Sequence, residues 1–238
     1  LLLLLMLALH RFDFIKADSF INSIMVSFGI ALIGFALAIK GFVDLWSRGD
    51  KGGRSSIKGM ILSFFTLIPI GLAGGIWLFL PTLNDISSDL DNPPSYLTSL
   101  LPLKTLPAQI LASKAQLQSE TWPDLRGRRY EISPDRILTA IETVMNAQGW
   151  KIQEQFHDTD AENNDIFMTT DTSIPVLGFD FEVIVRISDQ GEATWVDMRV
   201  TARDLSHDLG FGAYIINHFM QDLDREVLLS AIERVSDD

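Results

Sequence analysis

Two neighbouring stretches of alternating residues carry the charged side chains that could do chemistry. Asp180, Glu182 and Arg186 alternate with Phe179, Phe181, Val183, Val185 and Ile187, and Asp197, Arg199, Thr201 and Arg203 alternate with Val196, Met198, Val200 and Ala202. Paired carboxylates and arginines on one surface can bind an anionic group or exchange protons. Asp180, Glu182, Arg186, Asp197, Arg199, Arg203 and Asp208 are therefore the candidate polar interaction face. The plainer reading is a solvated sheet face with cross-strand ion pairs. His207 and His218 stand 11 residues apart, near three helical turns, but no third ligand accompanies them and no metal site is expected. Asp158 to Asp165 opens like a calcium loop, yet Asn163 stands where glycine is required and Thr169 where the bidentate Glu belongs. A hairpin turn is expected there instead. No Gly-x-Ser-x-Gly elbow, His-Glu-x-x-His helix or dinucleotide glycine fingerprint occurs, so no catalytic residue is assigned and no cofactor is implied. The chain has no cysteine, which removes disulfides, thiolate catalysis and Cys-ligated zinc.

The alternation requires two strands, each with one core face and one charged face. For both apolar faces to lie on one side, paired residue numbers must sum to an odd value. A tight turn at Gln190-Gly191 then places Glu182 opposite Arg199 and Arg186 opposite Trp195. Upstream, Arg128 to Ile132 reads as a short strand. Ser133 is an N-cap, Pro134 suits the first helical position, Ile137, Ile141, Val144 and Met145 form an apolar stripe, and Gly149 ends the helix. Strands follow over 150–156 and 166–170, around a polar turn at 157–164. A closing helix over about 210–235 repeats Ile215, Phe219, Leu223 and Val227 at four-residue spacing and should cover the sheet. Residues 128–238 thus read as an α+β domain with a mostly antiparallel sheet and helices on one face. The preceding segment, 81–127, is a Pro-rich linker or strap holding a short helix over 108–118 that Trp122-Pro123 terminates.

Residues 1–80 have a different composition. Ser19 to Ile39 and Gly59 to Leu83 are free of charge for 21 and 25 residues, long enough for the roughly 20 residues a bilayer core requires. Transmembrane helices are expected at about 19–39 and 59–80, and Leu1 to Leu9 reads as the tail of a further, truncated span. Gly71 and Gly75 have small-xxx-small spacing and are the expected helix-packing residues. The connector 40–58 carries five basic residues, whereas Pro81 to Leu103 carries none, so the connector is predicted to be cytoplasmic and the C-terminal domain periplasmic. Residues 1–80 hold seven basic and four acidic side chains, and the other 158 residues hold 12 and 27. So acidic a domain lacks the basic footprint that nucleic acid demands.

Asn84-Asp85-Ile86-Ser87-Ser88-Asp89, Asn92-Pro93-Pro94, Gly149-Trp150, Gly178-Phe179, Val185-Arg186-Ile187, Val196-Asp197-Met198-Arg199 and Arg203 through Gly210 occur in that order. Together they resemble the bacterial family known as domain of unknown function 1499, in the version with membrane helices ahead of the domain. The likeness covers roughly Leu83 to Leu223 and departs at Thr201 to Asp204 and at Gly212. It implies location and fold, and transfers no catalytic residue.

Two functions are consistent with these readings. One is a non-catalytic accessory or scaffold subunit of an inner-membrane protein complex, in contact with membrane lipids and a membrane-protein partner. The other is a binding module for a lipid or other apolar ligand, held among Phe179, Phe181, Met198, Phe211, Phe219 and Met220. A cavity lined by those residues would favour the second, and a solid core would remove it.

Overall fold

The computed structural model describes residues 1–48, 53–95, 108–158 and 165–237. The chain divides into two compact units, Leu1–Leu80 with Pro175–Gly178, and Pro81–Ile174 with Phe179–Asp238.

The first unit contains α1 (Leu2–Arg11), α2 (Ala17–Arg48) and α3 (Gly53–Phe79). The last two are each long and apolar enough to cross a membrane. Both extend beyond the uncharged runs, because helical hydrogen bonding continues through Lys40 and Asp44 at one end and from Arg54 at the other. At ten residues α1 is too short to span. It is tied back by His10, whose ring stacks on Phe20 at 4.8 Å and whose Nδ1 lies 3.2 Å from the Ile15 carbonyl oxygen. Small residues let α2 and α3 approach closely. A Cβ on Gly34 would lie 3.3 Å from Ser63 Oγ, one on Gly41 3.2 Å from Ser56 Oγ, and one on Gly59 3.5 Å from the Ala38 Cβ. Gly71 and Gly75 have nothing within 4 Å of the Cβ position, so the α2–α3 contact is made elsewhere.

The second unit is an α+β domain. Its strands are β1 (Asp85–Ser87), β2 (Arg128–Tyr130), β3 (Lys151–Asp158), β4 (Asp165–Ser173), β5 (Asp180–Asp189) and β6 (Thr194–Ala202), and its helices α4 (Ala108–Thr121), α5 (Pro134–Ala147) and α6 (Phe211–Asp237). The antiparallel sheet has the order β1-β6-β5-β4-β3, and β2 also pairs with β6. β1 and β2 thus share the outer edge of β6, one opposite residues 199–201 and the other opposite 194–196.

One face of the sheet is the core. Val183, Val185, Ile187, Val196, Met198 and Val200 are buried there, with Ile137, Ile141, Val144 and Met145 of α5 and Ile216, Phe219 and Leu223 of α6. Each such side chain contributes about 1.5–3 kcal/mol on burial. Ser133 occupies the N-cap of α5, but its hydroxyl makes no capping bond; Pro134 supplies the preset φ of the first turn. The helix ends as expected. Gly149 is left-handed at φ 74°, with Trp150 N–H donating to the Met145 carbonyl and Gly149 N–H to that of Asn146.

The β5–β6 register differs by two residues from the expected one. Arg186 lies opposite Asp197, not Trp195, and Glu182 opposite Thr201, not Arg199. The cause is the turn. Asp189 pairs with Thr194, and Gln190 to Ala193 form a longer loop closed by Gln190 N–H on the Ala193 carbonyl and Gly191 N–H on Asp189 Oδ1. The parity is unchanged, so the apolar and charged residues keep the expected faces. The calcium-like stretch lies mostly at 159–164, outside the described residues.

Candidate functional site

The charged face of the sheet is covered. After β1 the chain crosses it as a strap, Ser88 to Pro94, whose acceptors meet the arginines of β5 and β6. A guanidinium has five donors and no acceptor, and Pro93 and Pro94 have no N–H to satisfy in return. A Pro-Pro strap is therefore well suited to lie over arginines.

At the centre Arg186, only 7% exposed, is held on three sides. Its Nη2 donates to Asp89 Oδ2 at 2.7 Å and to Asp197 Oδ2 at 3.0 Å, and its Nη1 to the Asn92 carbonyl at 2.9 Å. Asp197 Oδ1 accepts from Ser88 Oγ at 3.0 Å, and Ser88 Oγ accepts from Met198 N–H at 2.9 Å. Gly127 abuts the same carboxylate, where any Cβ would collide with Asp197 Oδ1 and lie 2.9 Å from the Val196 carbonyl oxygen. Asp89 Oδ1 accepts from the Asp91 and Asn92 N–H groups at 3.0 Å each, folding the strap into a turn that presents the Asn92 carbonyl. Burial works against the Arg186 charge, but the hydrogen bonds and attraction of Asp197 and Asp89 outweigh it, so its pKa rises further above the ordinary value.

Next along β6, Arg199 is gripped bidentately by Asp85 of β1, through Nε at 2.8 Å and Nη2 at 2.6 Å, while its Nη1 donates to the Pro94 carbonyl at 3.0 Å. Thr201 Oγ1 donates to Asp85 Oδ1 at 3.1 Å. The outward backbone groups of β1 are closed by α4: Gln118 Oε1 accepts from Ser87 N–H at 3.2 Å and its Nε2 donates to the Ser87 carbonyl at 2.6 Å. One amide side chain thus substitutes for a neighbouring strand.

The expected polar residues fall into three places. Arg186, Asp197 and Arg199 form the buried centre described above. Arg203, Glu182 and Asp180 lie toward the rim, where Arg203 Nη2 donates to Asp171 Oδ1 at 2.6 Å and Arg203 N–H to the Asp180 carbonyl at 2.9 Å. Burial raises the Glu182 pKa, with Arg203 opposing and Asp171 reinforcing the rise. Asp208 is not on this face. It sits just before α6, where its carboxylate accepts from Gly210 N–H at 2.9 Å and Gly212 N–H at 2.8 Å, and Gly212 in turn abuts Ile86. Burial raises its pKa against the lowering effect of those two N–H donors.

The expected cross-strand ion pair is present as Arg186 with Asp197, but the solvated face is corrected at its centre, where both are buried, while Arg203 and Asp180 at the rim remain exposed. Asp85, Ser88, Asp89, Asn92, Gln118 and Gly127 join the site only in the folded chain. The one sequence signal for the covering segment is the Asp89 and Asn92-Pro93-Pro94 stretch itself, whose carboxylate and carbonyl oxygens can only accept.

A cleft of about 510 Å³ opens over this centre, lined by Arg186, Asp197, Asp89, Asp165 and Trp195 among others. Among the described residues no group of His, Asp and Glu is placed to hold a metal ion. His207 Nδ1 accepts from Leu209 N–H, and His218 Nδ1 lies 3.2 Å from Asp222 Oδ2 on α6. At the centre, carboxylate oxygens already serve Arg186, Ser88 and strap amides.

No protein-family model and no curated protein matches the chain. Among solved structures, the crystal structure of CalU16 from Micromonospora echinospora is similar over 45% of this chain and 80% of that one, at 19% identity and a TM-score of 0.23. A likeness of that size carries no argument about the fold or the site.

Proposed function

We propose that this chain is a non-catalytic accessory or scaffold subunit of a bacterial inner-membrane complex, with the acidic α+β domain in the periplasm, and that it belongs with the membrane-anchored members of the domain of unknown function 1499 family. The observation that carries the reading is the open apolar flank of the helix pair. Met25, Phe65 and Leu72 are 68%, 68% and 65% exposed, and none of the residues in the most apolar window of α3 is buried. Side chains of this kind require lipid or another helix around them. The basic connector and the acidic domain favour opposite sides of a bilayer, and four of the seven stretches that carry the resemblance, those holding Asp85 and Asp89, Asn92 and Pro94, Arg186, and Asp197 and Arg199, meet in the strap contacts.

The apolar-ligand reading has less support. Phe179, Phe181, Met198, Phe219 and Met220 are buried in packed core, Phe211 meets Phe181 edge-on at 6.4 Å, and neither described cavity is lined by any of them.

The test is the native mass of the chain after extraction in mild detergent at its natural abundance. The expected result is a complex containing a second protein in fixed ratio, which Gly71→Leu with Gly75→Leu disperses, since those glycines face open space in the pair. A chain that extracts alone, without protein partner, refutes the subunit reading.

A further inference from the structure

The cleft over the β5–β6 pair is where the polar face has bonding capacity left over. Arg186 Nε is buried and donates to nothing, although the other two nitrogens of the same guanidinium have three acceptors between them. Asp165 Oδ1, on the neighbouring strand β4, is likewise buried and accepts from nothing. Both residues line the same cleft. A buried donor or acceptor without a partner costs about 1–3 kcal/mol, more when it is charged, and native structures keep few of them.

The two unmet groups are of opposite kind, and this narrows the ligand. Arg186 Nε needs an acceptor, which an ammonium or guanidinium ligand cannot supply. Asp165 Oδ1 needs a donor, which a carboxylate or a phosphodiester ligand does not bring. The lining holds Asp89, Asp91, Asp165 and Asp197 against Arg126 and Arg186, so an anion is also opposed by charge. A hydroxyl both donates and accepts and carries no charge. Trp195 adds a half-buried aromatic wall, suited to the apolar face of a sugar ring. The volume, about 510 Å³, falls within the range of roughly 300–1,000 Å³ usual for small-molecule sites.

We propose that this cleft binds a neutral saccharide, one of whose hydroxyls is shared between Arg186 and Asp165 while a ring lies against Trp195. Each unmet atom has less than 1 Å² of surface, so the sugar displaces lining side chains as it enters. Leu90 and Asp91 are suited to yield, because neither side chain makes a hydrogen bond among the described residues. This proposal does not rest on the membrane-subunit reading, since the cleft belongs to the second unit alone.

The experiment uses the full chain in a detergent without a sugar headgroup, titrated with maltose and with N,N′-diacetylchitobiose and followed by saturation-transfer NMR. The expected result is binding of at least one of them with a Kd of about 1 mM or tighter. Asp165→Ala should weaken that binding by at least about tenfold, equivalent to about 1.4 kcal/mol, without lowering Tm. Arg186→Lys keeps the charge but removes Nε, and should weaken binding similarly where it folds. Asp165→Ala is the deciding variant, because the Oδ1 it removes accepts from nothing and Asp165 takes no part in the bonds that hold the strap over the arginines. Tetraglycine and spermidine serve as peptide and amine probes. No disaccharide binding up to about 10 mM overturns the proposal. So does equal binding by the Asp165→Ala chain, or binding of tetraglycine or spermidine in place of both sugars.

Discussion

One face of the sheet is buried throughout and the other at its centre, by opposite means. On one, α5 and α6 cover a layer of aliphatic and aromatic side chains; on the other, the strap from Ser88 to Pro94 covers two arginines, each held by a carboxylate and a strap carbonyl. The apolar face is held by area, which is non-directional and tolerates adjustment. The polar face is held by geometry, where loss of one partner leaves a charge out of water. The difference predicts how each fails.

The largest effects come from single truncations at the two centres. Phe219→Ala removes a fully buried ring stacked on Trp150 at 5.5 Å and should cost about 3–5 kcal/mol. Arg186→Ala leaves Asp197 buried without its cation and should also cost about 3–5 kcal/mol. Removing more of the site separates them. Arg186→Met combined with Asp197→Leu and Asp89→Leu should recover most of the loss, because replacing a whole buried ionic cluster by apolar residues is often neutral or better. No second truncation near Phe219 should do the same. Hydrogen exchange at the β5 and β6 amides measures both; failure of the triple variant to recover would mean the strap contributes more than satisfied charge.

The same contrast decides what is legible in the sequence. Period-2 alternation locates β5 and β6 and assigns their faces, because the core side selects Val, Ile, Phe and Met at every second position. Pro134 and Gly149 bracket α5 because their backbone constraints are local. The register escapes the pattern because hairpin loop length depends on the Asp189–Gly191 bond and the Gln190–Ala193 closure, which no periodicity encodes. β1 reads as linker since three residues cannot display a period; its strand character comes from β6 and from Gln118, 31 residues away in sequence. For the candidate site, the arginines and Asp197 are visible in the strand pattern, whereas Asp85 and Asp89 reach it only through the fold, and the backbone carbonyls of Asn92 and Pro94 leave no trace in side-chain chemistry.

A smaller effect tests whether Gln118 replaces a strand. Gln118→Ala strands the buried Ser87 N–H and carbonyl, at a cost of about 1–3 kcal/mol. Exchange at the Ser87 amide should rise far more than at β4. If both rise together, α4 stabilises the domain generally rather than closing this edge.

Asp208 tests the opposite side, where a polar group sits beside the apolar core. Asp208→Ala removes the acceptor for Gly210 and Gly212 N–H and should cost about 0.5–2 kcal/mol, as helix caps do. Its folded pKa is raised by burial, so the folded chain holds the proton more tightly than the unfolded one. Its contribution is therefore full below the ordinary carboxylate value, about 4, and declines as pH rises through the folded value. The gap between wild type and Asp208→Ala should narrow from acid to neutral pH. A gap that widens instead would mean the two N–H donors outweigh burial.

The smallest effect marks where the polar face stops behaving as an interior. Arg203 and Asp171 are 43% and 30% exposed, so their pair at 2.6 Å is shared with solvent and screened by salt. Arg203→Ala should cost only about 0.2–1 kcal/mol, against several for Arg186→Ala across the same sheet. Its charge still acts on its neighbour. Arg203 opposes the rise that burial imposes on Glu182, so the variant should titrate Glu182 at a higher pH than wild type. A carboxyl with raised folded pKa costs stability as pH rises from the ordinary range through that value, and the variant extends this window upward. NMR titration of the Glu182 carboxyl carbon reads the shift directly. An unchanged midpoint would place Glu182 outside the reach of Arg203 and confine the electrostatic interior to the two arginines beneath the strap.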